Sequence, residues 1–147
     1  MAYHFATLPD LKTLGPRIVV TITPSSALIR ALTGSDELGD YASRKTPATM
    51  VIDTGAQTTM IDKAITKALG LRRHGTTTII SPGGERQCLT YDMDMTFDAH
   101  NHTLRNVRVV EGDFREKQGM DGIIGRDILE NALFIYQGKN EQYTIAF

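Results

Sequence analysis

The chain reads as short apolar or alternating runs broken by glycine and proline, the pattern of a mainly β domain. Arg17-Ile18-Val19-Val20-Thr21-Ile22-Thr23 is rich in β-branched residues and bounded by Pro16 and Pro24, which predicts a strand. Ala48 to Ile52 predicts a second. Thr76 to Ile80 and Gln87 to Phe97 predict two more, separated by the turn sequence Ser81-Pro82-Gly83-Gly84-Glu85. Asp92-Met93-Asp94-Met95-Thr96-Phe97 alternates as a half-buried strand does, with Asp92 and Asp94 on the face toward water. Leu104 to Val110 is a further strand, and Leu133 to Tyr136 with Gln142 to Phe147 form a hairpin across Gly138-Lys139-Asn140.

Helical signals are few. Asp62 can cap a short helix, Lys63 to Leu69, with Ala64, Ile65, Ala68 and Leu69 on one face and Gly70 where the C-terminus wants positive φ. Ser26 to Leu32, ended by Gly34, and Arg126 to Asn131 are further short candidates. Residues 1–16 hold two prolines and no sustained period, and read as an N-terminal arm or loop; Gly39 through Pro47 also reads as loop. Many short strands with Gly/Pro turns predict a closed, barrel-like, mainly β domain over 17–147 with one or two short helices.

At 147 residues and 41% hydrophobic, the chain suits one compact domain with a core. A formal net charge of -1 gives no reason to expect nucleic acid, and Arg44-Lys45 and Arg72-Arg73 read as solvated surface. The single cysteine, Cys88, excludes an intrachain disulfide and reads as a small packing residue within a strand. No charged segment followed by a long apolar stretch opens the chain, so neither a secretory signal nor a membrane span is expected, and a cytoplasmic setting is the default. Asp98, His100 and His102 are too few fixed ligands for a structural metal site, and solvated histidines beside a turn are the expectation.

Two segments carry the chemistry. In Val51-Ile52-Asp53-Thr54-Gly55-Ala56 an acidic residue follows an apolar strand directly, which places a carboxylate at the edge of a core. Gly55 permits a sharp turn and close backbone approach, and the Thr54 hydroxyl can tie that turn down. In Gly122-Ile123-Ile124-Gly125-Arg126-Asp127, branched residues between glycines suggest a strand threaded tightly past another.

Together and in this order the two segments resemble the retropepsin-like aspartic peptidases, over roughly residues 17–147. Two departures stand out. The stretch from about 25 to 47 is longer than the family's usual turn. Gln57 also stands where retroviral enzymes often carry a second Asp, so it is no ionic partner for Arg126. The resemblance implies an endopeptidase without metal or organic cofactor, with an acid-shifted optimum, acting on extended polypeptides. Asp53 would be the general acid/base. Thr54 would brace the site across a two-fold axis, and Gly55 would offer its carbonyl to substrate. Ser81, Pro82, Gly83 and Gly84 would form a flap over the peptide; Ala56, Ile80 and Ile123 would contact it. Gly125, Arg126 and Asp127 would support the site. The run Tyr143 to Phe147 resembles the strand that interleaves at family dimer interfaces and would otherwise be a bare apolar edge. The chemistry needs two carboxylates around one water, and the chain has one such motif, so the resemblance implies a homodimer. The alternative is a binding or assembly module that keeps the fold without turnover.

Overall fold

A computed structural model describes residues 1–147. Ten strands carry the architecture: β1 (Tyr3–Thr7), β2 (Arg17–Pro24), β3 (Thr46–Ile52), β4 (Met60–Asp62), β5 (Arg73–Ser81), β6 (Gly84–Phe97), β7 (His102–Gly112), β8 (Gly122–Ile124), β9 (Leu133–Gln137) and β10 (Gln142–Ala146). The helices are short: α1 (Leu11–Leu14), α2 (Ser26–Leu32), α3 (Lys63–Leu69), α4 (Arg115–Gln118) and α5 (Arg126–Leu129). One sheet runs β2-β3-β8-β4-β7-β6-β5, and a further β2–β6 pairing closes it into a barrel from which β5 hangs on β6 alone. This is the closed, mainly β architecture that the sequence pattern predicts. The alternating apolar positions fill the barrel: Ile18, Val20, Ile22, Met50, Ile52, Met93, Met95, Phe97 and Ile124 are all buried.

Residues 1–16 are more ordered than the sequence suggests. β1 pairs along its whole length with β10, and Leu11 of α1 is fully buried. No local period announces β1, because its partner lies at the other end of the chain. The second sheet runs β1-β10-β9, so β10 is a central strand and not a bare edge. Within the chain both edges of Tyr143 to Ala146 are taken, which corrects the expectation that this run interleaves with another copy. The Tyr143 hydroxyl donates to the Arg17 carbonyl at 2.5 Å, and burial pushes its pKa up to about 12.

Three local expectations change. Asp94 is buried, not in water: the β6–β7 ladder shifts register between Met93 and Met95, and the Asn106 N–H donates to the Asp94 carboxylate at 2.8 Å. On α3 the Asp62 cap and the left-handed Gly70 are as predicted, but Thr66 and not Ala68 joins Ile65 and Leu69 inside. The Thr66 hydroxyl makes burial tolerable by bonding Glu111 at 2.6 Å. His100 is not solvated either. Both its ring nitrogens are buried without partners, and its ring stacks against Phe97, His102 and Phe147. Burial lowers its pKa, and the neighbouring His102 and His4 add to this.

The long connection 25–47 folds against the end of α3. Ser25 caps α2, and Arg44 donates to the Leu69 carbonyl at 3.1 Å while pairing with Asp40. Arg72 meets Glu37 at 2.7 Å. No helix of the chain is long and apolar enough to cross a membrane.

Two outcomes follow from this packing. A Cβ on Gly122 would overlap the Met60 carbonyl and press on the Ile61 backbone. Gly122→Ala should therefore lower the unfolding free energy by about 2–3 kcal/mol in a denaturant titration with unchanged slope. His100 has a folded pKa below its ordinary 6.5, so its contribution is complete above that pH and is lost as pH falls through the folded value. His100→Phe should accordingly flatten the decline in stability between about pH 7 and pH 5, measured by thermal unfolding at each pH.

Candidate active site

β8 is threaded between two strands. It runs parallel to β3, with Val51 opposite Ile123, and antiparallel to β4, with Met60 opposite Ile123. Asp53 leaves the end of β3 at this junction, and its N–H donates to the Ile124 carbonyl at 2.9 Å. The chain then turns sharply. The Gly55 N–H donates to Asp53 Oδ1 at 2.8 Å, which fixes the carboxylate's direction, while Thr54 and Gly55 face outward.

A polar lock underlies the turn. The Asp127 carboxylate accepts from the Thr59 N–H at 2.8 Å and from the Thr59 hydroxyl at 2.7 Å. Thr59 Oγ1 in turn accepts from the Gly125 N–H at 3.0 Å. Thr59 and Gly125 are both buried, so the bond between them is made away from water, while the Asp127 carboxylate reaches in from the exposed side. Gly125 admits no side chain: a Cβ there would lie 2.6 Å from the Thr58 carbonyl carbon. Arg126 donates to the Thr54 carbonyl at 2.9 Å and the Gly55 carbonyl at 3.2 Å, and its own N–H bonds the Ala56 carbonyl. Arg126 thus braces the turn through main-chain oxygens, a job that needs no acid at Gln57. The adjacent Asp127 serves Thr59, so Arg126 and Asp127 do not act as a pair.

Asp53 opens onto a hollow of about 480 Å³ lined by Thr13, Leu14, Val51, Phe114, Gln118, Met120 and Ile123. It is the only acidic residue there. A second hollow of about 510 Å³ lies under the β5–β6 hairpin, lined on the hairpin side by Ile79, Ser81, Gly83 and Gly84. Phe114 and Gln118 border both, so the two form one run from Asp53 to the hairpin tip. Ile123 takes its expected place beside Asp53. Ile80 is 77% exposed and lines neither hollow; Ile79 points into the hairpin-side hollow instead. Pro82 stands at the turn itself, between Ser81 and Gly83.

Sequence reasoning missed the wall formed by residues 113–121. Its near end is held by Asp62, whose Oδ2 accepts from the Phe114 and Arg115 N–H groups at 2.7 and 2.8 Å while Oδ1 caps Ala64. Burial alone would raise the Asp62 pKa, but the three N–H bonds and the Arg115 charge bring it below the ordinary value. Asp113 pairs with Lys63 at 2.7 Å. At the far end Asp121 accepts from the Arg115 Nε and from the Thr49 N–H. A cap at Asp62 was legible in the sequence, but its second duty to Phe114 had no local signal.

Residues 39–128 match the family model for aspartyl proteases. No curated protein sequence matches the chain. Among solved structures, the retropepsin-like aspartic protease from Rickettsia conorii superposes with a TM-score of 0.58 at 14% identity, covering 98% of each chain. The EIAV protease bound to the inhibitor HBY-793 superposes with a TM-score of 0.53 at 21% identity, covering 79% of this chain and 86% of that one. At these identities the structures share a fold, and the family match supplies the rest: the chain belongs to the aspartyl protease family and carries its retropepsin-like fold.

Proposed function

We propose that the chain is an aspartic endopeptidase whose catalytic pair is Asp53 from each of two identical copies. One observation carries this. A single acidic side chain, oriented by a backbone N–H, is the only carboxylate on the hollow beside the Thr54-Gly55 turn, and that hollow shares Phe114 and Gln118 with a second one beneath a projecting hairpin. Hydrolysis by a water that one carboxylate activates needs a second carboxylate to protonate the carbonyl oxygen, and in this reading a two-fold axis beside the exposed Thr54-Gly55 turn supplies it.

Two carboxyl groups about 3 Å apart share one proton and titrate as a pair. The ionised member takes a proton from water as its oxygen attacks the peptide carbonyl, and the protonated member gives its proton to the carbonyl oxygen. The tetrahedral diol then breaks its C–N bond as the amine nitrogen takes a proton from one carboxyl group and a diol hydroxyl returns its proton to the other, which releases amine and acid and restores the singly protonated pair. In this reading the outward Thr54 hydroxyl braces its counterpart across the axis. The Gly55 carbonyl gives one lone pair to Arg126 and keeps the other for a substrate N–H. Ala56 lies beside the substrate backbone. Ser81, Pro82, Gly83 and Gly84 close over an extended peptide as a flap, with exposed Ile80 adding apolar contact. Leu14, Val51, Phe114, Met120 and Ile123 favour an apolar side chain next to the scissile bond.

Digestion of a peptide library from about pH 4 to pH 7, with products identified by mass spectrometry, tests the reading. Asp53→Asn should reduce cleavage roughly 1,000-fold or more while circular dichroism and thermal unfolding stay unchanged. Retained cleavage by that variant rejects the mechanism, and absence of cleavage by wild type favours a binding or assembly module. Asp62→Asn releases the Phe114 segment without touching Asp53. It should raise KM for peptides about tenfold with little change in kcat, in steady-state assays.

A further inference from the structure

The hollow beneath the β5–β6 hairpin differs in kind from the one beside Asp53. The lining beside Asp53 is apolar but for Thr13, Gln118 and Asp53 itself. Under the hairpin four charged residues border the space: Glu85, Arg86, Asp113 and Lys117. Asp113 is already taken, since Lys63 pairs with it at 2.7 Å, and that contact brings the Asp113 pKa below its ordinary value. Glu111 lies in an adjoining hollow that also borders Arg86 and Asp113, and it is held by the Thr66 hydroxyl at 2.6 Å.

Strand geometry separates the two hairpin charges. Residues opposite one another on paired strands share a face, and neighbours along a strand point to opposite faces. Arg86 stands opposite Ile79, which lines the hollow. Glu85 stands opposite the exposed Ile80. Arg86 therefore shares the inward face, while Glu85 shares the outward one and meets the hollow at its rim. Lys117 borders the same space from α4, in the wall 113–121. Neither Arg86 nor Lys117 enters any ion pair of the chain. Two unpartnered cations thus reach one space from the hairpin and from the wall, and its one unpaired acid faces away.

The complement of such a space is an anion. Peptide is its source, because Phe114 and Gln118 border both hollows and a chain lying past Asp53 continues into the second. We infer that the hairpin-side hollow takes an acidic side chain of the substrate, Asp or Glu, and that Arg86 and Lys117 select it. This rests on the peptidase reading of Asp53 and sharpens its substrate class: apolar beside the scissile bond, acidic further along the chain. The two-fold axis repeats the hollow, so the preference falls on both sides of the cut. A guanidinium takes a carboxylate through two parallel N–H bonds and an ammonium acts as a point charge, so Arg86 carries the larger share. Both side chains are exposed, which keeps the selection to about fivefold in cleavage rate.

Two peptide libraries test it. One contains Glu and Asp; the other is identical except that Gln and Asn replace them. Digestion at about pH 6 keeps the carboxyl side chains ionised. Wild type should cleave the acidic library about fivefold faster, and mass spectrometry should find Glu and Asp enriched beyond the two residues that flank the cut, on both sides. Raising NaCl from about 0.05 M to about 0.5 M should bring the ratio of the two rates toward one, a result that needs no variant to fold. The double variant Arg86→Gln, Lys117→Gln should also bring the ratio to about one, and Arg86→Glu should bring it below one. A wild-type ratio near one, or a ratio that persists in the double variant, overturns the acidic subsite and leaves the peptidase reading standing. If wild type cleaves neither library, the peptidase reading falls and the subsite falls with it.

Discussion

The buried hydroxyl of Thr59 holds the site together. It donates to Asp127 and accepts from Gly125, and its own N–H reaches the second oxygen of the same carboxylate. Two segments distant in sequence, Thr59 and Gly125–Asp127, therefore share one polar cluster at the edge of an apolar barrel. Removing any member strands a donor or acceptor away from water, which costs more than the bond itself contributes. The Asp53 turn is the outward side of this cluster. Its sharpness is maintained from below by Thr59 and from the flank by Arg126 on the Thr54 and Gly55 carbonyls.

Carboxylates divide the labour around the cleft by the partners they hold. Asp53 sits partly open, and its carboxylate has one backbone partner, the Gly55 N–H. Asp62 and Asp127 are engaged on main-chain N–H groups and act as fixed anions that shape backbone. The wall 113–121 is a short irregular segment held by acids at both ends, and it contributes Phe114, Gln118 and Met120 to the hollow beside Asp53. A closed barrel thus presents a cleft with one irregular wall, anchored apart from the Asp53 turn.

Much of this was legible in the residues alone, and the reason is local. β2, β3 and α3 announce themselves through β-branched runs, a cap and a left-handed glycine, because these properties act within a few residues. The Ile123-Ile124-Gly125-Arg126-Asp127 motif was readable because glycine is demanded at Gly125, where backbones cross, and the Asp53 motif because an acid directly follows an apolar strand. What was not readable depends on distant partners. β1 is a strand only because β10 exists, and Asp94 is inside only because Asn106 turns its N–H inward. His100 looks like a solvated turn residue until the aromatic stack with Phe97 and Phe147 is built.

The β1–β10 pairing has a temporal consequence. During synthesis the first strand emerges early and stays without its ladder until the strand that completes it has cleared the ribosome. Barrel closure joins β2 to β3 and β6 well before that moment, so the terminal sheet is assembled last. Until β10 has been made, a nascent chain therefore lacks the sheet that carries β9.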